Sequence, residues 1–540
     1  METLAADLRT MVRTPLEEAH VAAMRKVGSE RTLKAGEVLH HAGDLVDEFC
    51  YLLAGEMEAV DPATGGRYGD GATLGPTQFA GDIAFLHGGA YSMALRAVQD
   101  TTLLCVERHT MLDLMSRIPE MSDIIISVFA ARRRGQLERE ASALTLIGAE
   151  VDRNIRRIAA FAGRNRIPVR SLTLDEAEAE AVAHACSIAP NAPAVIFGKG
   201  EVIADPTPRK IAARMGLDLS FEEDELHDVL IVGGGPAGVA AAVYAGSEGL
   251  KALVVEDLAI GGQAGTSSRI ENYMGFPTGI SGADLCWRGE VQAMKFGTRF
   301  AVPRRAAELQ RKDDGTFHVT LDDGAETCAR ALVVATGVQY RKLPIERLEE
   351  FESAGIYYAA TDVEARFCRN TEVVVIGGGN SAGQAAMFLS RTAKHVHVLV
   401  RGDSLAASMS RYLTDRLEAH PRITIHYRTQ MTCCHGEAEL DAITIRNTGD
   451  GQDWQIKTRA VFVMVGAAPN TEWLSGLVEL NPQGFVKTGA DVGQSSAYST
   501  SCPGIYAVGD VRAGSVKRVA SAVGEGSVVI SRVWEYLNAD

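Results

Sequence analysis

Two glycine-rich turns carry the residues best suited to binding a dinucleotide. In the first, a buried apolar strand leads into Gly233-Gly-Gly235-Pro-Ala-Gly238 and an alanine-rich helix, and the next strand ends in Glu256. Glycines at this spacing permit a tight turn, close approach of the backbone to a pyrophosphate, and close packing of helix on strand. The helix N-terminus then presents free N–H groups to the phosphates. A carboxylate at the end of the second strand accepts hydrogen bonds from ribose hydroxyls.

The second turn reads Gly377-Gly-Gly379-Asn-Ser-Ala382, with alanine in the third glycine position. The strand that follows its helix ends at Arg401 and carries no acid. An arginine at this place suits a 2′-phosphate, whereas an acid suits a free 2′-hydroxyl. We therefore interpret the first turn as an FAD site and the second as an NADPH site. The alternative for Arg401 is a surface residue at a strand end.

The elements that position these turns belong to a chain of 540 residues, which is long enough for roughly three or four domains. The apolar content of 46% and the charged content of 23% are those of an ordinary globular protein. A formal net charge of −15 argues against nucleic acid as a partner, because phosphate binding needs a basic surface. We see neither a transmembrane run nor a secretory signal, and expect no membrane partner and a cytoplasmic location.

The cysteines form no recognisable framework. Nine are scattered along the chain, and none stands in a C-x-x-C. An odd number without repeating spacing is not a disulfide scaffold, and we predict no metal site. The vicinal pair Cys433–Cys434 is interpreted as an accident of a strand or loop.

The pattern of apolar residues predicts a multidomain fold. Residues 1–142 contain short apolar runs broken by glycine, which indicate an all-β roll, followed by a helix over 110–142. Three arginines at 132–134 in this helix are interpreted as a solvated face or hinge. Residues 143–219 alternate strand and helix as a small α/β domain. From about residue 226 the pattern is βαβ around the two glycine turns, which predicts two Rossmann-like α/β nucleotide-binding domains.

Residues 226–540 resemble the low-molecular-weight thioredoxin reductases. The resemblance rests on the two turns and on four further segments, Gly261-Gly-Gln263, Ala335-Thr-Gly337, 465–471 and 504–510. It implies an FAD domain of 226–340 plus 466–540, an inserted NADPH domain of 341–465, and a homodimer. The residues assigned to FAD are Gly233, Gly235, Pro236, Ala237, Gly238, Glu256, Gly262, Gln263, Asn272, Ala335, Thr336, Gly337, Gly509, Asp510, Val519 and Ala520. Those assigned to NADPH are Gly377, Gly379, Asn380, Ser381, Ala382 and Arg401.

The chain departs from that family where the electrons would leave the flavin. Family members carry a Y-C-A-T-C-D segment, whereas this chain reads Tyr358-Ala-Ala-Thr-Asp362. Without a thiolate pair, no thiol–disulfide exchange can occur at that site. Cys368 is either a lone redox thiol or a buried structural cysteine. The family's H-R-R-x-x-x-R signature is also partial, since Arg401 is what remains of its adjacent arginine pair, and NADH stays possible as the donor.

The first half of the chain resembles two further families. Residues 31–110 resemble a cyclic-nucleotide-binding domain, in which Asp82 would hold a ribose hydroxyl. The position expected to hold the phosphate-binding arginine falls near Tyr91, and Arg96 on the next strand is expected to point elsewhere, so cyclic-nucleotide binding is doubtful. Residues 143–219 resemble a thioredoxin or glutaredoxin domain, with Pro193 in the place of its cis-proline. The C-x-x-C expected near Gly148 is absent, which favours docking over exchange.

The predicted function is that of an NAD(P)H-dependent flavoprotein oxidoreductase whose acceptor is external to the chain. Because the cofactors carry this chemistry, no catalytic side chain is nominated. A disulfide reductase that uses atypical cysteines, or a redox-sensing regulatory protein that acts through the β-roll, remain alternatives.

Overall fold

The computed structural model describes residues 15–60, 65–67, 73–91, 93–138, 144–149, 151–189, 192–197, 200–215, 217, 225–267, 270, 272–352, 354–358, 360, 368, 370–406, 409–437 and 439–539. The chain divides into two compact units, Met1–Gly337 with Thr471–Asp540, and Val338–Asn470. The finer division into five segments stays a prediction. No helix among these described residues is both long and apolar enough to cross a membrane.

The first unit begins with short antiparallel strands. They form two sheets, in the orders β1-β7-β3 and β2-β6-β4-β5, around the buried rings of Phe49, Phe79, Phe85 and Phe129. The elements are α1 Glu18–Arg25, β1 Ser29–Leu33, β2 Val38–His40, β3 Glu48–Ala54, β4 Met57–Val60, β5 Thr73–Leu74, α2 Ala84–His87, β6 Ala94–Ala97 and β7 Thr101–Glu107. The β-rich N-terminal fold that the glycine-punctuated runs predict is confirmed.

Two helices follow the strands instead of the predicted single helix over 110–142. They are α3, Arg108–Arg117, and α4, Pro119–Glu138. Proline has no N–H to donate and disfavours the helical conformation of the residue before it. Ile118 accordingly adopts φ −126° and ψ 84°, and the helix is interrupted there.

The prediction that the arginines of α4 form a solvated face is wrong for the two whose side chains are described. Arg132 donates to the carbonyl of Gly81 at 2.8 Å, and its guanidinium lies 5.3 Å from the centroid of the Phe79 ring. Arg133 is 8% exposed. The charge pattern alone does not reveal that this face of α4 packs against the roll. The side chain of Arg134 lies outside the described residues.

A small α/β domain comes next. Its sheet has the order β11-β10-β8-β9, with β8 and β9 parallel and the other pairs antiparallel. Among the described residues the cis peptide bond joins Val302 to Pro303, so the prediction of a cis bond at Pro193 is wrong. The elements are β8 Leu144–Ile147, α5 Arg153–Arg164, β9 Arg170–Leu172, α6 Ala177–Ala185, β10 Ala194–Phe197, β11 Glu201–Val202 and α7 Pro208–Arg214.

The rest of the first unit is a seven-stranded sheet with the order β14-β13-β12-β17-β16-β15, on which β28 pairs with β17. Strands β14, β13, β12, β17 and β28 run parallel, which places their carboxyl ends at one edge. The elements are β12 Leu226–Val232, α8 Pro236–Ser247, β13 Ala252–Val255, α9 Gly282–Lys295, β14 Arg299–Ala301, β15 Ala306–Arg311, β16 Phe317–Leu321, β17 Glu326–Val334, β28 Ile505–Ala507 and α12 Val519–Leu537. Short 3-10 turns span Ala264–Thr266, Glu472–Leu474, Gly489–Val492 and Gly509–Val511.

The second unit contains a five-stranded parallel sheet with the order β19-β26-β20-β21-β22, an antiparallel sheet β23-β24-β25, and the pair β18-β27. The elements are β18 Val338–Tyr340, β19 Ile356–Tyr357, β20 Glu372–Ile376, α10 Asn380–Leu389, β21 His395–Val400, α11 Arg411–Glu418, β22 Ile423–Tyr427, β23 Thr429–Gly436, β24 Leu440–Asn447, β25 Asp453–Lys457, β26 Val461–Val463 and β27 Ala467–Pro469, with a 3-10 turn at Leu348–Phe351.

Candidate dinucleotide-binding sites

The first glycine turn joins β12 to α8, and two of its positions have no room for a side chain. A Cβ on Gly238 would lie 1.8 Å from the carbonyl oxygen of Gly233. Gly233 has φ +109°, and a Cβ there would lie 2.3 Å from the carbonyl oxygen of Ala335. Both contacts are far inside van der Waals distance, so glycine is required for the helix, the strand end and β17 to pack this closely.

Gly235, which lies between these two positions in the sequence, has open space beside it. A Cβ on Gly235 would meet no atom of the described residues within 4 Å. Gly235 is the residue before α8, and Pro236 occupies the first helical position, followed by Ala237. A pyrophosphate can therefore approach the backbone of Gly235 closely and accept hydrogen bonds from the N–H groups at the N-terminus of α8. The residues present therefore fit a dinucleotide at this edge of the sheet.

Glu256 comes directly after β13 and turns its carboxylate toward the first turn. Its Oε2 accepts from the Gly234 N–H at 2.7 Å, and its Oε1 accepts from the N–H groups of Leu258 and Ala259 at 3.0 and 3.3 Å. Burial raises the pKa of Glu256, and these three donors oppose the rise. A carboxylate offers about four acceptor positions, so one remains for a ribose hydroxyl. The carboxylate thus shapes the turn itself, a role that the ribose prediction did not include.

The loop after Glu256 returns to the glycine turn. Gly262 has φ +52°, and a Cβ on it would lie 3.2 Å from the Cα of Gly235. Gln263 is exposed at the start of the turn Ala264–Thr266. Asn272 is exposed as well, and no contact recorded for the described residues joins it to the first turn.

The end of β17 forms the opposite wall. Ala335 donates its N–H to the carbonyl of Val232 at 2.8 Å, which holds the two strand ends together. Thr336 and Gly337 continue this segment, and Gly337 has φ +61°. The structure therefore brings Ala335 next to Gly233, as the sequence order of the motifs implies.

A second turn from the C-terminal part of the chain reaches the same edge. Gly509 follows β28, and a Cβ on it would lie 3.1 Å from the Cβ of Ala237. Burial raises the pKa of Asp510, while the nearby Lys517 lowers it. Val519 and Ala520 begin α12, which packs along α8. Gly509 and α12 thus meet α8, the helix that the first turn begins.

Sequence reasoning missed the pair that fixes the Gly509 turn. Glu525, only 7% exposed, accepts from the Gly509 N–H at 2.7 Å, and its other oxygen accepts from the Arg512 guanidinium at 2.6 Å. A buried carboxylate held by a guanidinium and a backbone donor is well compensated. The signal was one acid between two glycines, Gly524 and Gly526, in an otherwise apolar helix.

The second glycine turn, between β20 and α10, is built differently. Gly377 has φ +144°, and a Cβ on it would lie 2.4 Å from the carbonyl oxygen of Met464. Ala382 is fully buried, so its methyl group is accommodated where the first turn has glycine. Gly379 precedes α10, Asn380 accepts from the Ser410 N–H at 2.8 Å, and the Ser381 side chain is exposed.

Arg401 directly follows β21 and is exposed. No hydrogen bond or ion pair joins its guanidinium to a described residue, so its donors are available to a ligand. The neighbouring Asp403 lies 3.8 Å from Arg428. Arg411, at the start of α11, is a second exposed arginine on this side. These are residue types that bind a phosphate group.

The segment that would carry a dithiol is partly described. Ala359, Thr361 and Asp362 lie outside the described residues, while the Tyr358 hydroxyl donates to Glu352 at 2.7 Å. Cys368 is 0% exposed, which fits a structural cysteine. On β23, Cys433 is exposed and Cys434 is buried, so the vicinal thiols point to opposite faces of a strand.

The segment that resembles a phosphate cassette is held by protein groups. Asp82 is 6% exposed and accepts from the Ala84 N–H at 2.8 Å. The Arg108 guanidinium donates to the carbonyls of Phe85 and Leu86 at 2.6 and 2.7 Å. Arg108 and Arg132 therefore both bind the backbone of this cassette.

Tyr91 occupies the position expected of the phosphate-binding arginine. Its ring stacks on the His40 ring at 3.4 Å between centroids. Burial lowers the pKa of His40 to about 4, so the imidazole is neutral at physiological pH. Arg96 pairs with Glu58 and points elsewhere, as predicted.

The small α/β domain contacts the domain that contains the seven-stranded sheet within the first unit. Asn165, at the end of α5, donates to the carbonyl of Leu258 at 3.0 Å, in the loop that Glu256 holds. Arg166 pairs with Asp284 on α9, and its guanidinium lies 5.1 Å from the centroid of the Trp287 ring. These contacts lie within the chain, and the docking role of this domain stays a prediction.

Comparison with known proteins gives matches to two family models. Residues 227–526 match the family model described as pyridine nucleotide-disulphide oxidoreductase, and residues 30–118 match that of the cyclic nucleotide-binding domain. The chain is similar to a thioredoxin reductase from Treponema pallidum, with 34% identity over 58% of this chain and 97% of that protein. It is also similar to NADPH-dependent thioredoxin reductase 3 from Arabidopsis thaliana, with 32% identity over 58% of this chain, and spans 59% of that protein's length.

Among solved structures, the thioredoxin reductase from Streptococcus pyogenes matches with 31% identity and a TM-score of 0.49, over 58% of this chain and 99% of that one. The family model covers more than half of the chain, and its residues contain both glycine turns. A resemblance to a thioredoxin domain in residues 143–219 stays a prediction. The chain therefore belongs to the thioredoxin reductase-like pyridine nucleotide-disulphide oxidoreductases and carries a cyclic nucleotide-binding domain before that region.

Proposed function

We propose that the chain is an NAD(P)H-dependent FAD oxidoreductase that passes electrons to an external acceptor without an internal dithiol. The observation that carries this proposal is the absence of sulfur from Tyr358–Asp362, where the family resemblance implies the dithiol. Within the described part of the second unit, the remaining cysteines offer no substitute. Cys368 is buried, and Cys433 and Cys434 face opposite sides of a strand. Thiol–disulfide exchange needs an accessible thiolate.

The residues of the first unit supply the binding and orientation of the flavin nucleotide. Gly235 and the N-terminus of α8 receive the pyrophosphate, Glu256 receives a ribose hydroxyl, and Asp510 lies on the turn that Glu525 fixes. When bound, FAD supplies the two-electron chemistry that links a nicotinamide donor to the acceptor. The proposal assigns no general acid or base to the protein.

NADPH is the proposed donor, and NADH is the alternative. Support comes from Arg401, whose exposed guanidinium has no described partner and follows β21 at the position that contacts the 2′-substituent. Arg411, exposed at the start of α11, is a second candidate for the phosphate. In this proposal the exposed Arg401 and Arg411 bind the adenosine 2′-phosphate of NADPH, whereas the carboxylate of Glu256 binds the ribose of FAD.

An acceptor panel tests the function. The purified full chain, with its flavin spectrum verified, is mixed with NADPH or NADH and then with O₂, a quinone, an aromatic disulfide or thioredoxin in turn. We expect NADPH oxidation with a quinone or O₂ and little with thioredoxin. Cys368→Ser should leave every rate unchanged, as should the exposed control Cys433→Ser. Rapid thioredoxin reduction that is lost in Cys368→Ser would overturn the proposal.

A second candidate function is regulation by a cyclic nucleotide, which the domain match at 30–118 favours. The geometry of the cassette weighs against it, because Tyr91 stacks on His40 where a guanidinium would neutralise the cyclic phosphate. The melting temperature of the chain, measured with and without cyclic AMP or cyclic GMP, tests whether the domain binds a cyclic nucleotide. We expect no saturable shift, and a saturable shift that Asp82→Asn removes would establish the regulatory function.

A further inference from the structure

Two cysteines far apart in sequence face each other in the β-roll. Cys50 on β3 and Cys105 on β7 are register partners in an antiparallel pair, and their Sγ atoms lie 3.0 Å apart. All nine cysteines of the chain are described, and this is the pair whose sulfurs are in contact. Both side chains are buried, at 2% and 7% exposure.

The backbone geometry allows a bond between these sulfurs. Directly opposed residues of antiparallel strands have Cα atoms about 4.5 to 5.5 Å apart. Disulfides join residues whose Cα atoms are about 4.4 to 6.8 Å apart. Oxidation of the pair therefore requires side-chain rotation and no rearrangement of the sheet.

A cation next to the sulfurs makes the two cysteines unequal. The Arg31 guanidinium on β1 lies 3.4 Å from the Cys105 Sγ and 3.7 Å from the Cys50 Sγ, and it also pairs with Glu48. The two thiols share a hydrogen bond in which either sulfur can be the donor, and this bond together with the charge of Arg31, the nearer of whose sulfur contacts is to Cys105, lowers the pKa of Cys105. The same hydrogen bond, together with burial, raises the pKa of Cys50. The Cys105 sulfur is thus suited to react first as a nucleophile, and the Cys50 thiol is suited to react with the oxidised Cys105 afterwards.

We propose that Cys50 and Cys105 form a reversible redox pair, with Cys105 as the peroxide-reactive thiolate and Cys50 as the resolving thiol. The Cys105 sulfur attacks one oxygen of hydrogen peroxide, the O–O bond breaks, and hydroxide leaves, which gives a sulfenic acid. Cys50 then loses its proton and attacks that sulfur, and the S–O bond breaks with release of water. The pair loses two electrons, and one peroxide becomes two waters. Reduction by a dithiol reverses the step through exchange once local opening of β3 and β7 exposes the buried sulfurs.

A metal is the competing occupant, because ligand atoms of Glu48, Cys50 and Cys105 lie within 4.8 Å of one another. Arg31 argues against a cation here, since its guanidinium contacts both sulfurs and the carboxylate. A positive charge in the same space repels a divalent ion and stabilises a thiolate.

A disulfide at Cys50 would affect the neighbouring segment 79–86, because backbone contacts join β3 to that segment. The carbonyl of Cys50 accepts from the Ala80 N–H at 2.8 Å, and Tyr51 bridges Phe79. A bond at Cys50 therefore acts on the strand that holds the residues before Asp82. This inference is independent of the proposed function, because its readout is thiol chemistry and not NAD(P)H oxidation.

Thiol mapping of the native full chain tests the proposal. Reduced native protein is treated with hydrogen peroxide, then unfolded in the presence of an alkylating reagent that blocks free thiols, and its peptides are analysed by mass spectrometry. We expect a linked Cys50–Cys105 peptide pair that a dithiol reductant converts back to two alkylatable thiols. Full alkylation of both cysteines at peroxide doses that oxidise exposed Cys433 would overturn the proposal, as would one zinc ion per chain bound at these sulfurs.

Variants assign the two roles. Cys50→Ser should leave a sulfenic acid on Cys105 that dimedone traps, whereas Cys105→Ser should give no dimedone adduct on Cys50. Arg31→Ala, which spares both thiols if a serine variant fails to fold, should slow disulfide formation, because it removes the cation that stabilises the Cys105 thiolate. An unchanged rate in Arg31→Ala, or a dimedone adduct on Cys50 in Cys105→Ser, would overturn the assigned roles.

Discussion

The two glycine turns share a strand–turn–helix topology, and they differ at the third glycine position and at the residue that ends the following strand. At the third glycine position the first turn has Gly238, where a Cβ would lie 1.8 Å from a carbonyl oxygen, whereas the second has fully buried Ala382. At the end of the following strand the first has Glu256, held by three backbone donors, and the second has exposed Arg401. The acid beside the first turn is therefore bonded to the protein's own backbone, whereas the arginine beside the second turn is exposed and charged.

Under the proposed FAD and NADPH assignments, the residue that ends the following strand, and not the glycines, determines the ligand preference. Both turns provide the same helix N-terminus for a pyrophosphate. A carboxylate that shapes its own loop suits a cofactor that stays bound, while an exposed guanidinium suits a donor that binds and leaves. The following predictions alter one side of the comparison at a time.

The largest effect is expected for Gly238→Ala. The added methyl group would collide with the Gly233 carbonyl, so α8 must move away from β12, and we expect loss of FAD and unfolding at a markedly lower temperature. The measurement is the ratio of flavin to protein absorbance together with the melting temperature. The matched control is Gly163→Ala in α5, where a Cβ meets nothing within 4 Å. FAD retention by Gly238→Ala would contradict the close packing.

Glu256→Gln should weaken FAD binding by about 1 to 3 kcal/mol, because the amide nitrogen cannot accept from the backbone N–H that it then faces. Isothermal titration of the apoprotein with FAD measures this. Glu248→Gln, in an exposed turn after α8, is the control that removes a carboxylate away from the site. Unaltered affinity would mean that the three backbone bonds do not shape the turn.

Glu256 also gives the comparison a pH dependence. Burial raises its pKa above the ordinary value of 4.5, so its contribution to stability is fully present below that value and is lost as the pH rises through the raised pKa. The melting temperature of the apoprotein should therefore decline over this pH range more in the wild type than in Glu256→Gln. Parallel profiles for the two proteins would contradict the assignment.

Arg401→Ala should raise the KM for NADPH about tenfold, equivalent to about 1.4 kcal/mol, and leave the KM for NADH within a factor of about two. Steady-state kinetics with both donors and one acceptor measure the split. Arg391→Ala, exposed after α10, is the matched control. Equal changes for NADPH and NADH would show that Arg401 does not contact the 2′-phosphate.

The smallest effect is expected for Ala382→Gly, which makes the second turn resemble the first. Glycine in a helix costs about 1 kcal/mol relative to alanine. We expect a modest fall in melting temperature with no gain in FAD content. A second equivalent of bound flavin would show that the third glycine, and not the strand end, selects the ligand.

The sequence predicted most of what is local. The turns, the strands that precede them and the acid or arginine that ends the next strand follow from periodicity and glycine spacing. What depends on packing between distant elements was not predictable. Glu525 meets Gly509 through a helix on the other side of the turn, and Cys50 meets Cys105 through strand register. Arg132 looked solvated because its pairing with the Gly81 carbonyl is tertiary.

An anaerobic titration with NADPH tests whether electrons leave the flavin without an internal dithiol, as proposed. The account predicts full bleaching of the flavin after one equivalent of NADPH per FAD, with no thiol gained by alkylation in the second unit. The protein is titrated in its fully oxidised form, and Cys50→Ser is titrated in parallel to remove any contribution from the β-roll pair. A requirement for two equivalents in both proteins, with new thiols appearing, would contradict the account.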